Sequence, residues 1–146
     1  MAERTERAVL NSLIVACRDA DRGFTFASEH VLDSTLRTFF EDLAKERRQY
    51  AEALLPHAQR LGGAGDAEGS SLATLHRAWM ALKDRVAHQD QAMVVEAEWG
   101  ERTALAAYGE ALDGMLPPEA RAVVESQHAG IQAGLKRLHA LAIAAA

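Results

Sequence analysis

The sequence predicts an all-α fold, a four-helix bundle, from three observations. Apolar residues recur at intervals of three and four through four long stretches, the period of a helix with one buried face. The chain is 49% hydrophobic and rich in Ala and Leu, with only three prolines and few aromatic residues, a composition that favours helix. The stretches are joined by a tight turn, a long connection and a second tight turn. With 146 residues the chain forms a single domain, residues 1–146, and buries a core without disulfides or structural metal.

The first helix is expected from about Thr5 to Val31, with Leu10, Leu13, Ile14, Cys17, Ala20, Phe24, Ala27 and Val31 on its stripe. Asp33 and Ser34 supply the stop and the next N-cap. A second helix carries Leu36, Phe39, Phe40, Leu43, Tyr50, Leu54 and Leu61 to its end at Gly62 and Gly63. Pro56 lies inside that pattern and is expected to kink the last turns. Residues 62–70, "GGAGDAEGS", read as the extended loop, and Ser70 or Ser71 as the cap of a short helix. That helix places Leu72, Leu75, Trp79, Leu82 and Val86 on one face, to lie against the bundle. Asp90 is expected to cap a long helix to about Leu112. After "DGMLPP", Pro118 suits a first helical position, and the last helix runs to about Ala142 with a fraying tail. Short loops make neighbours antiparallel, whereas the connection over about 62–90 lets the third helix run parallel to the second. That is the ferritin-like pattern with one crossover.

Composition narrows the partners. The net charge is −5, the pI is near 5.7, and no basic block forms a phosphate-binding stripe, which argues against nucleic acid and anionic membrane. No run approaches about 18 apolar residues, so no spanning helix is expected. Cys17 is the single cysteine; it reads as a buried small hydrophobe in a reducing compartment, with no disulfide framework or thiolate cluster. The N-terminal apolar run follows Glu3 and Glu6 and lacks a cleavage site, so the expected location is a bacterial-type cytoplasm. Ser-His-Asp order, nucleophile elbow, P-loop and dinucleotide fingerprint are all missing from the sequence. No catalytic residues are assigned.

Polar residues interrupt each long stripe. Asp21 lies between Cys17 and Phe24, Glu46 and Arg47 between Leu43 and Tyr50, and Gln127 and His128 between Val124 and Ile131. Glu98 and Glu101 lie near the inward face of the third helix. Counted from the tight turns at the helical rise, Asp21 and His128 lie at about 15 Å and Glu46 and Glu101 at about 18 Å. One shared level predicts one polar layer, because buried charge is costly unless it is paired or coordinated.

Two networks could use that layer. In the structural one, Arg47 forms bidentate pairs with Asp21 and with a Glu of the third helix, while Gln127 and His128 supply further hydrogen bonds. This network needs no cofactor. The alternative is a centre for two Fe or Mn ions built from Asp21, Glu46, Gln49, Glu101, Glu125 and His128, since positions i and i+3 share a face and Glu-x-x-His is half of a carboxylate-bridged site. Against it, Gln49 stands where His is wanted, and the charge of Arg47 opposes a cation. Tyr50 and Tyr108 lie close enough to donate hydrogen bonds to the layer or to serve as ordinary core tyrosines. Trp79 reads as the anchor of the short helix, and His76 and Lys83 as solvated. Trp99, off the main stripe, is the candidate for partner contact.

Several strings carry a resemblance. "CRDADRGF", "QRLGG", "LHRAWMALKD", "GERTALAAYGEAL" and "LPPEARAVVESQHAG" resemble bacterial ferritin-like four-helix-bundle proteins grouped as a domain of unknown function, over about residues 8–142. The resemblance implies an acidic residue at the position of Asp21 and a retained arginine at Arg47, beside a position often Gln where this chain has Glu46. It implies the fold and no established activity. The combined reading is a non-catalytic cytoplasmic bundle that acts by association, as a homodimer or with a protein partner, in stress physiology; the metal centre is the alternative.

Overall fold

A computed structural model describes residues 5–62 and 90–145, with side chains as far as Ala142 in the last helix. Among these residues the fold is all-α, a bundle of four helices: α1 (Glu6–His30), α2 (Ser34–Arg60), α3 (Asp90–Asp113) and α4 (Pro118–Ala145). The short helix expected over 72–86, with His76, Trp79 and Lys83, lies outside the described residues.

Local chemistry sets the helix ends. The Thr5 hydroxyl accepts from the Ala8 N–H at 3.0 Å and caps α1, and Glu6 follows at the favourable end of the helix dipole. Asp33 caps α2 by accepting from the Leu36 N–H at 3.3 Å. α2 continues through Pro56, which is exposed, so water can reach the backbone carbonyl that proline leaves without a donor. It stops at Gly62, whose φ of 79° is the left-handed conformation open to glycine. Pro118 opens α4, where a missing N–H costs nothing. Arg121 then donates to the carbonyls of Leu112 and Gly114, closing the end of α3.

Asp90 does more than begin a helix. Its two carboxylate oxygens accept from the backbone N–H groups of Leu32 and Asp33, each at 2.8 Å. The expected cap of α3 thus serves the α1–α2 turn, and it places the start of α3 beside the start of α2. α2 and α3 therefore run in the same direction, so the end of α2 and the start of α3 lie at opposite ends of the bundle. α1 packs along α2 and α3 along α4; α1 also flanks α3, and α2 flanks α4, leaving α2 and α3 on one diagonal.

Among the described residues the core has two apolar clusters. One holds Leu10, Leu13, Ile14, Leu54, Tyr108, Val124 and Ile131, and the other holds Phe24, Phe40, Leu43, Met93, Val94 and Leu138. Arg47 follows Leu43 and Ala44 of one cluster and precedes Ala51 of the other. The break between the clusters is polar.

Candidate functional site

Arg47 and Glu101 form the centre of that break. Both are 1% exposed, and the two terminal nitrogens of Arg47 each donate to one oxygen of Glu101 at 2.5 Å. The fork geometry matches a carboxylate and uses both of its oxygens. The guanidinium carbon lies 5.5 Å from the centre of the Phe24 ring and 5.7 Å from that of Tyr50, so two aromatic rings help to solvate the cation. Burial would lower the Arg47 pKa, but the hydrogen bonds and charge of Glu101 outweigh it and the net shift is upward. The guanidinium keeps its charge.

A glycine makes room for it. A Cβ placed at Gly134 would lie 3.1 Å from a Glu101 carboxylate oxygen and 3.9 Å from an Arg47 terminal nitrogen. One turn earlier, a Cβ at Gly130 would overlap the Tyr50 hydroxyl. α4 thus presents two glycines, four residues apart, one to Tyr50 of α2 and one to the Arg47–Glu101 pair.

A second buried chain of hydrogen bonds lies one turn below. Gln127 accepts from the Tyr108 hydroxyl at 2.7 Å and donates to the Tyr50 carbonyl at 3.2 Å, which orients its amide. The Tyr108 oxygen lies 3.0 Å from the Cys17 sulfur. Because the single phenolic proton is directed to Gln127, the thiol is the donor to Tyr108. Burial pushes the Cys17 pKa up, so this thiol is not a poised nucleophile. Burial likewise raises Tyr50 to about 12 and Tyr108 further still.

The remaining candidates separate from this centre. Asp21 does not reach Arg47; Arg48 of the next position takes it, with bonds of 3.1 and 2.9 Å on the outer surface. The reason is angular, since a residue one step along a helix turns by about 100°. Glu46 is half-buried, 3.5 Å from an Arg47 terminal nitrogen, and its Oε1 has no hydrogen bond among the described residues. Glu98 faces the α3–α4 edge, where it accepts from Arg102 at 2.8 Å and pairs with His139 at 2.6 Å. The hydrogen bond from His139 is the main cause of its lowered pKa; partial burial opposes the shift and Arg102 reinforces it.

The opposing set for two metal ions is dispersed. Gln49 and Glu125 are exposed, and Glu125 pairs with Arg121 at 3.8 Å on its own helix. His128 is half-buried and has no hydrogen bond or ion pair among the described residues, whereas its neighbour Gln127 takes the inward position. Among the described residues no three His, Cys, Asp or Glu converge as metal ligands. Periodicity identified the polar interruptions, but a Glu-x-x-His on the flank of α4 cannot point where Gln127 points.

Four participants had no functional signal in their residue types: Gly130, Gly134, Arg48 and His139. The glycines sit beside the inward stripe of α4, and their spacing of one turn is the one sequence cue that large groups approach there. The chemistry of the assembled layer is that of a clasp. Its cation is neutralised, its thiol and phenols keep their protons, and its amide is satisfied at both ends.

The chain matches the model of a family described as a domain of unknown function, DUF2383, over residues 5–114. That span contains Arg47, Glu101, Cys17 and Tyr108, and ends before α4. No curated protein matches the chain.

Proposed function

Because the chain belongs to the DUF2383 family, whose description assigns no activity, we propose from its geometry that it is a non-catalytic helical-bundle protein that acts by association. The central polar layer sets the register of its helices. The single observation that carries this reading is Arg47, which occupies both oxygens of Glu101 at the place where a metal centre would need free carboxylates. The thiol and phenol protons of Cys17, Tyr50 and Tyr108 are held more tightly than usual, which also speaks against acid–base or thiolate catalysis.

A ferritin-like affiliation belongs to this proposal. It is supported by the parallel course of α2 and α3 at opposite corners, joined by one long connection. A cytoplasmic location is supported by the lone, buried cysteine.

The test is purification from cells grown with added iron and manganese, followed by metal analysis, Fe(II) oxidation and peroxide assays, and sedimentation. Metal far below one equivalent, unchanged by His128→Ala, with measurable association, is the expected result. A strictly monomeric protein that oxidises Fe(II) or consumes peroxide would overturn the reading.

A further inference from the structure

α3 carries large apolar residues on two opposite sides, although its outer side also holds exposed Arg102, Thr103 and Glu110. Its inner side carries Met93, Val94, Ala97, Tyr108 and Ala111. On the outer side Val95 is 48% and Trp99 67% exposed, with exposed Ala106 in line with them and half-buried Ala92, which also packs against the Phe24–Leu138 cluster, at the edge of the line. A helix in the wall of a bundle ordinarily carries polar residues on that side. Ala92, Val95, Trp99, Arg102 and Ala106 follow one another at intervals of three, four, three and four, the spacing by which one helix presents a seam to another.

The charges beside the seam are self-complementary. Glu98 and Arg102 lie one turn apart on the same flank of Trp99, linked at 2.8 Å, with Arg102 57% exposed. When two such helices pair antiparallel about a two-fold axis at Trp99, residues on one flank stay on one flank and their order reverses. Each Arg102 then comes beside the partner's Glu98, while each Glu98 keeps its His139. Ala92 and Ala106, seven residues on either side of Trp99, come opposite the partner's Ala106 and the partner's Ala92. Small residues at those two levels let the helices close around the central tryptophans.

We propose that the outward face of α3 pairs with α3 of a second copy of this chain, antiparallel, with the two-fold axis at Trp99. This deepens the association reading above and rests on it. Exposed tryptophan is the residue type most suited to anchor such a contact. One helix pair is smaller than the roughly 800 Å² per partner of a standard stable interface, so the dimer is weak and depends on concentration.

The experiment uses the full chain. Sedimentation velocity over a range of concentrations is expected to show a reversible dimer that Trp99→Glu abolishes with circular dichroism and melting unchanged. Register is read separately by mild oxidation of cysteine variants. Ala92→Cys and Ala106→Cys chains are expected to cross-link when mixed and not when alone. A wild-type chain that stays monomeric at several hundred micromolar overturns the proposal, as does a dimer indifferent to Trp99→Glu. So does cross-linking of Ala92→Cys chains to each other. Any of these with metal-free, inactive protein would leave association with a different protein standing, whereas Fe(II) oxidation would remove that reading independently.

Discussion

Arg47 and Glu101 meet across a diagonal of the bundle, joining α2 and α3, whose backbones do not touch. The ion pair therefore links two helical hairpins through their shared centre. Breaking a buried pair by removing one partner leaves an uncompensated charge, which costs about 3–5 kcal/mol. Glu101→Leu is expected to lower unfolding stability by that order, read as a shift in the urea midpoint at constant slope. The double variant Arg47→Met with Glu101→Leu is expected to recover most of the loss, because two apolar groups of similar volume need no partner. A double variant as unstable as the single one would mean that the pair has another role.

Gly130→Ala is expected to destabilise despite the roughly 1 kcal/mol by which Ala exceeds Gly in helix propensity. The added methyl meets the Tyr50 hydroxyl, held against α4. Gly134→Ala meets a carboxylate oxygen at 3.1 Å, a contact that small shifts can relieve, so its effect is smaller. Thermal melts of the two variants should rank in that order. Tyr50→Phe should be less harmful in the Gly130→Ala background than in the native one.

The two tyrosines should resist alkaline titration. Both have pKa values raised by burial, Tyr50 to about 12, so their neutral forms stabilise the fold below the ordinary value near 10. That contribution is lost as pH rises through the folded values. Ultraviolet absorbance should show little tyrosinate at pH 10 in the native protein and about half ionisation at the same pH in denaturant. A native titration centred near 10 would contradict the buried hydroxyls.

Cys17 should be protected for the same reason. Its sulfur is buried and its proton engaged with Tyr108. Reaction with a thiol reagent should be slow in the native state and fast in denaturant, with Tyr108→Phe accelerating the native reaction. Tyr108→Phe also strands the Gln127 carbonyl oxygen, a loss of about 1–3 kcal/mol.

The Glu98–His139 pair gives an acid dependence. Glu98 has a lowered pKa, so its contribution is present above the unfolded carboxyl value and disappears as pH falls through the folded one. His139→Ala should reduce stability at neutral pH and flatten its decline below about pH 4. An unchanged acid limb in His139→Ala would place the acid sensitivity elsewhere.

By itself the sequence determined the helices and pointed to polar residues at one level. Both follow from the chain's own repeat: apolar stripes mark four helices, Asp33 and Pro118 mark starts, and a rise of 1.5 Å per residue puts Glu46 and Glu101 at one height. Only the tertiary structure decided which groups meet there. Adjacent residues on a helix point about 100° apart, so whether Arg47 or Arg48 takes Asp21, and whether Gln127 or His128 turns inward, depends on how the helices are rotated against one another. The space for these side chains was set in the same way, by two glycines of α4 whose meaning appears only when Tyr50 and Glu101 are packed against them.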